Sequence, residues 1–183
     1  MSRKYKISDN QQLYFLTFAV VRWIDVFTRK EYKDILIESL RYCQKSKGLE
    51  LYAFCIMPNH VHLIARAEEG KNLSEILRDL KKFTSTQIIQ AISGNLQESR
   101  CEWMLWLFRA AGQNNPKNTN NQFWQHENHP IELTDNFLVE QRLNYLHQNP
   151  VRAGLCFAPE EYVYSSASQY AGGETVLPVM LIE

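Results

Sequence analysis

Two histidines stand two residues apart in Met57-Pro-Asn-His-Val-His-Leu-Ile-Ala65. In an extended chain the side-chain period of two sends His60, His62 and Ile64 to one face and Val61, Leu63 and Ala65 to the other. Two imidazoles on one sheet face are separated suitably for chelating a single ion. Neutral imidazole is a ligand for Mn, Zn, Ni, Cu and Fe, and less so for Mg. The same pattern also suits two half-exposed sheet residues bonded to their neighbours, so the metal reading needs a third ligand.

A second constellation follows about 85 residues later. The spacing from about Asp135 to Gln148 predicts a helix stopped by Pro150. Val139, Leu143 and Leu146 form its apolar stripe, and Gln141, Tyr145 and Asn149 recur at i, i+4 and i+8 on a polar one. A free phenol titrates near pH ~10, so it attacks a phosphodiester only if a metal polarises the phosphate and steadies the developing charge. The amide oxygen of Asn149 could complete a metal sphere begun by His60 and His62, one helical turn from Tyr145. The tyrosine would keep the 5′ phosphate while the other DNA end leaves as a 3′ hydroxyl, and the stored bond would allow rejoining without ATP. The alternative is an amphipathic tyrosine at the edge of the core.

These segments carry a resemblance. Met57 to Ile64 is similar to the His-hydrophobe-His motif of single-tyrosine (HUH-type) transposases. Tyr145-Leu-His-Gln-Asn-Pro-Val-Arg-Ala-Gly-Leu155 resembles the tyrosine motif of their branch associated with repetitive extragenic palindromic (REP) sequences. Tyr14 to Thr28 and Tyr162 to Ser166 are similar as well, so the resemblance covers roughly residues 5–170. It implies a ferredoxin-like core, a divalent metal (Mg2+ or Mn2+) and single-stranded DNA bearing a hairpin. Matched by position, His60 and His62 are expected metal ligands, Tyr145 the nucleophile and Asn149 the third ligand, where relatives from compact insertion sequences usually carry Gln. Those relatives resemble swapped dimers and the REP-associated branch monomers; a monomer is the expectation here. Two other readings compete: a catalytically inactive, domesticated DNA-binding descendant, and a zinc hydrolase using His60, His62 and either His126 or His129.

The elements that must position these residues follow from periodicity. Residues 13–21 read as a central strand, apolar on both faces, and 31–47 as a helix ended by Gly48. Strands 50–57 and 59–66 join at Pro58-Asn59, and Asn72 or Ser74 caps a long helix with the stripe Leu73, Ile76, Leu77, Leu80, Ile88 and Ala91. Residues 101–108 read as a short buried helix, with a strand as the alternative, and Trp103, Trp106 and Phe108 read as core aromatics in preference to platforms for stacking unpaired bases. Residues 113–122 read as a polar loop, and 123–126 and 129–133 as short strands. The order predicts an α+β, ferredoxin-like antiparallel sheet with helices mainly on one face, in a single domain over 1–183 whose tail, 171–183, has no assigned role.

Charge and composition narrow the class. The net charge is zero, yet residues 1–65 carry ten Lys/Arg against six acids, and 120–183 carry two Arg against eight. Arg78, Lys81 and Lys82 on the non-core side of their helix, and Arg152 after the tyrosine helix, are the candidates to hold DNA phosphates. Cys43, Cys55, Cys101 and Cys156 form no Cys-x-x-Cys pair, which removes a zinc ribbon. His126, His129 and His147 read as structural. No apolar run approaches the ~20 residues needed to span a bilayer, so no membrane partner and a cytoplasmic location are expected.

Overall fold

The computed structural model describes residues 7, 9–113, 121–126 and 129–182. The elements are β1 (Tyr14–Ala19), α1 (Lys30–Ser46), β2 (Leu49–Ile56), β3 (His60–Ala67), α2 (Leu73–Gly94), α3 (Cys101–Gln113), β4 (Ile131–Glu132), α4 (Asn136–Arg152) and α5 (Ala167–Tyr170). The strands form one sheet in the order β2-β3-β1-β4, with every pairing antiparallel. This is the expected α+β, ferredoxin-like arrangement, in which α1 carries the chain from β1 across β3 to the sheet edge.

Alternation along the strands builds two cores. Tyr14, Leu16 and Phe18 of β1, with Val61, Leu63 and Ala65 of β3, face α1, α2 and α3 and form the larger core. Phe15, Ala53, Cys55, Met57, Ile64, Leu133 and Leu146 form a smaller one on the opposite face, where α4 packs. Helices therefore do lie mainly on one face, and α4 has the other to itself. At the α1–β2 corner Gly48 adopts a φ of +74°, and a Cβ there would come within 2.7 Å of a Lys71 side-chain carbon, so the corner requires glycine. Asn72 caps α2 by accepting from the Glu75 amide at 3.2 Å.

Three details depart from the periodicity. Pro150 does not stop α4, which runs on to Arg152. In its last turn proline forfeits one amide donor, while Ala153 still donates to the Asn149 carbonyl at 3.0 Å and Leu155 to that of Pro150 at 2.9 Å. Residues 101–113 form a longer, amphipathic α3 rather than a short buried helix. Met104, Leu107, Phe108 and Ala111 fill its inner stripe, which turns Trp103 (52% exposed) and Trp106 (60%) outward. Only Phe108 of the three expected core aromatics packs inside. The strand expected at 123–126 is a single bridge from Trp124 to Val20; the polar loop falls largely on 114–120, outside the described residues.

The free edge of β2 is covered. Tyr164 and Ser166 bond to Ile56 and Phe54, and Met180 of the C-terminal tail donates to the Leu51 carbonyl at 2.9 Å. Leu177 of the tail is fully buried. Covering this edge removes a template for intermolecular pairing.

Candidate active site

β3 and α4 together build the site. The antiparallel register sets Thr17 of β1 opposite His62 and Ala19 opposite His60, all on the α4 face of the sheet. The ring centroids of His60 and His62 are 4.7 Å apart. α4 begins at Asp135, whose carboxylate caps it by accepting from the Leu138 amide at 2.8 Å. Leu146, with Leu138, Val139 and Leu143, seats the helix on the smaller core. That seating brings the Tyr145 ring to 5.5 Å from the His62 ring and the Asn149 amide nitrogen to 3.0 Å from His62 Nε2. His60, His62, Tyr145 and Asn149 are thus gathered within one chain. Gln141, the third member of the polar stripe, is exposed.

Hydrogen bonding dictates both histidine tautomers. An amide nitrogen only donates, so His62 Nε2 accepts from Asn149 and its Nδ1 carries the proton, which it donates to Thr17 Oγ1 at 2.9 Å. A chain of two residues orients His60. The Asp25 carboxylate accepts from Asn59 Nδ2 at 2.8 Å, which turns Asn59 Oδ1 toward His60 Nδ1 at 2.7 Å. His60 therefore also carries its proton on Nδ1, so both Nε2 atoms are unprotonated, that of His62 being engaged by the Asn149 amide. Burial lowers the pKa of His60. Burial, then the neighbouring His60 and the Arg142 charge, lower that of His62 to about 3. Both imidazoles are consequently neutral at physiological pH, the form that binds a metal.

The donor set fits a hard or borderline cation. The two imidazole rings lie 4.7 Å apart, with His62 Nε2 directed at Asn149, and rotating the Asn149 amide by half a turn would present its Oδ1 where Nδ2 now sits. Among the described residues no three His, Cys, Asp or Glu side chains form a group able to hold a metal, so a third protein donor beside the two histidines would have to be of another type, such as the Asn149 amide. His126 and His129 accordingly join no such group with His60 and His62, and the zinc-hydrolase alternative lacks its third ligand.

The other candidates divide. Arg152 is exposed, and its guanidinium lies 5.6 Å from the Tyr145 ring. Arg78, Lys81 and Lys82 sit on α2, against the opposite face of the sheet. Arg78 pairs with Asp79 at 2.9 Å. Lys81 is half-buried rather than fully solvated, donating to the Gln125 carbonyl at 2.8 Å with its Nζ 5.5 Å from the Phe18 ring; burial lowers its pKa to about 8. Lys82 is exposed. His147 donates or accepts at Ser166 Oγ, 2.9 Å away, a structural bond that points away from the tyrosine.

Sequence reasoning missed Thr17, Asp25 and Asn59, because second-layer partners depend on register and on a loop with no pattern of its own. It missed Arg142 although its place three residues before Tyr145 was legible as the same helix face. Trp23 was also overlooked. It is exposed, its φ is +56°, and its ring meets His60 edge-on at 5.8 Å.

The family model of IS200-like transposases matches residues 10–109, a span that holds both histidines and ends before Tyr145. Among solved structures, a REP-associated tyrosine transposase bound to a REP hairpin is similar over 100% of both chains, at 16% identity and a TM-score of 0.66. A Deinococcus radiodurans R1 protein assigned as a transposase shares 20% identity over 81% of this chain and 96% of its own, at a TM-score of 0.46. No curated protein matches significantly.

Proposed function

The chain belongs to the family of IS200-like transposases, and from that premise we propose that it is a metal-dependent single-stranded DNA endonuclease and strand transferase acting through a 5′-phosphotyrosine at Tyr145. The observation that carries this reading is the seating of α4 over β3, which brings Tyr145 and Asn149 onto His62, itself beside His60. The substrate would be single-stranded DNA with a hairpin, in keeping with the REP hairpin to which the similar REP-associated protein is bound.

His60 and His62, through Nε2, and Asn149, through its amide oxygen, would hold Mg2+ or Mn2+. When bound, the ion polarises a phosphate oxygen and offsets the charge that develops there. The Tyr145 oxygen bonds to phosphorus as the P–O3′ bond breaks. The phenol proton is released to solvent and the departing 3′ oxygen takes one up. Reversal by a different 3′ hydroxyl rejoins strands. Arg152 would meet a phosphate beside the tyrosine, and Arg78, Lys81 and Lys82, across the sheet, could reach only DNA flanking the cleavage site. Because α4 serves the histidines of its own chain, a monomer suffices, without the exchange a swapped dimer needs. No described helix is long and apolar enough to cross a membrane, and a DNA substrate points to the cytoplasm.

The test is a covalent-adduct assay. Protein with Mg2+ or Mn2+ is mixed with labelled hairpin oligonucleotides from the DNA flanking its gene and resolved on a denaturing gel. A metal-dependent shifted band, absent in Tyr145→Phe and His60→Ala, is expected, and Tyr145→Phe should keep its DNA affinity. Binding without an adduct for every hairpin and metal would instead favour the inactive, domesticated DNA-binding protein.

A further inference from the structure

Arg142 stands three residues before Tyr145 on α4, and so on the same side of the helix. Its guanidinium carbon lies 5.5 Å from the centroid of Phe15. Phe15 also stacks on His62 at 5.1 Å and meets Tyr145 edge-on at 6.0 Å. One buried ring therefore has the arginine, the metal-binding candidate and the nucleophile arranged around it. Arg142 Nε is buried with no hydrogen-bond partner among the described residues, and the guanidinium enters no ion pair with them. This happens in a part of the chain rich in acids. Arg142 as a whole is half-buried, but a guanidinium carries only donors, and its buried, unmatched Nε is a cost that packing on Phe15 does not remove.

A phosphodiester supplies what is missing. Its two non-bridging oxygens match the Nε–Nη fork of a guanidinium, and its negative charge answers the unpaired positive one. Resting on the strand-transfer reading, we propose that Arg142 binds the non-bridging oxygens of the phosphodiester that Tyr145 attacks, with Arg152 meeting the same backbone from the solvent side. Arg142 holds the phosphorus within reach of the phenol oxygen. It also offsets the extra negative charge that gathers on the phosphate oxygens as the new bond forms.

Two readouts test this in wild type, Arg142→Gln, Arg142→Lys and Lys45→Gln, a charge-matched control on α1 beneath the opposite face of the sheet. The first is anisotropy with a fluorescein-labelled 30-nucleotide oligo(dT) over a range of salt. The second is the adduct rate on the hairpin oligonucleotide, with Mn2+ affinity measured alongside. Arg142→Gln should bind oligo(dT) about ten-fold more weakly, with a salt slope smaller by about 0.7, as for one lost phosphate contact on a single strand. Its Mn2+ affinity should be unchanged. Arg142→Lys should recover the slope, while its adduct rate stays at least about ten-fold down for want of the fork. Lys45→Gln should match wild type.

An Arg142→Gln protein equal to wild type in affinity, slope and adduct rate overturns the proposal. So does one that loses Mn2+ and DNA together, which would mean that the arginine only props Phe15 and the site. An Arg142-dependent slope in a wild type that forms no adduct supports the phosphate contact and removes the strand-transfer reading instead.

Discussion

At His60 a single imidazole is oriented by two residues that never reach the substrate space. Asp25 holds the Asn59 amide, and Asn59 holds His60 Nδ1. Asp25 itself is steadied through its carbonyl, which accepts from Arg100 at 2.9 Å. Removing the carboxylate frees the amide to flip and offers His60 Nδ1 a donor instead of an acceptor. Asp25→Ala should therefore weaken Mn2+ binding about 10–100-fold, the usual effect of losing such a supporting partner, with little change in melting temperature. Titration calorimetry on the folded variant decides it, and an unchanged affinity would mean that His60 needs no such support. Arg22 and Trp23, in the same loop, both adopt a φ of +56°. Consecutive left-handed conformations in non-glycine residues cost free energy, and here they accompany a tryptophan turned edge-on to His60.

At the scale of the element, α4 is the part on which the site depends. It rests on the smaller core, where Leu146 is fully buried. Leu146→Ala removes the central contact and should lower stability by about 2–5 kcal/mol, read by urea denaturation. It should also weaken Mn2+ binding, because Asn149 moves with the helix. Leu40→Ala, in α1 and the larger core, should cost a similar amount yet leave the metal affinity of the folded protein intact. Equal metal affinity in the two variants would show that α4 is held by something other than its apolar stripe.

Across the whole molecule, buried histidines make stability depend on pH. Burial sets His147 at about 4, and burial with neighbouring charge sets His62 at about 3. Both lie below the ordinary histidine value near 6.5. The unfolded chain therefore binds protons first, so their contribution is intact above pH ~6.5 and is lost as the pH falls toward the folded values. Each contributes at most about 1.4 kcal/mol per pH unit, or about 3 kcal/mol together by pH 5.5. Melting temperature should fall over that range, His147→Gln should lessen the fall, and Mn2+ should lessen it too by favouring neutral imidazole. A flat profile from pH 7 to 5.5 would contradict the burial of these rings. A second loss follows at lower pH. The Glu98 carboxyl, held by Arg100 and then Arg29 between α2 and α3, is lowered to about 2, so the stability it contributes is intact above the ordinary carboxylate value and is lost progressively as the pH falls from there toward 2.

What the sequence determined by itself is whatever depends on local period. The two-residue alternation placed His60 and His62 on one face, the 3.6-residue stripe of α4 separated Leu146 from Tyr145, and the element order gave the α+β sheet. Local signals erred where a neighbour shared the decision. Pro150 reads as a stop, but one lost amide bond in a last turn does not end a helix whose other bonds persist. Trp103 and Trp106 read as core, but the inner stripe of α3 was already filled. Tertiary structure alone decided the rest. Which strand lies beside β3, and in what register, brought Thr17 to His62. The loop 20–29 brought Asp25 to Asn59, and the seating of α4 brought Arg142, Tyr145 and His62 around Phe15. These contacts join residues many positions apart, and nothing in a one-dimensional pattern carries the register or docking angle that creates them.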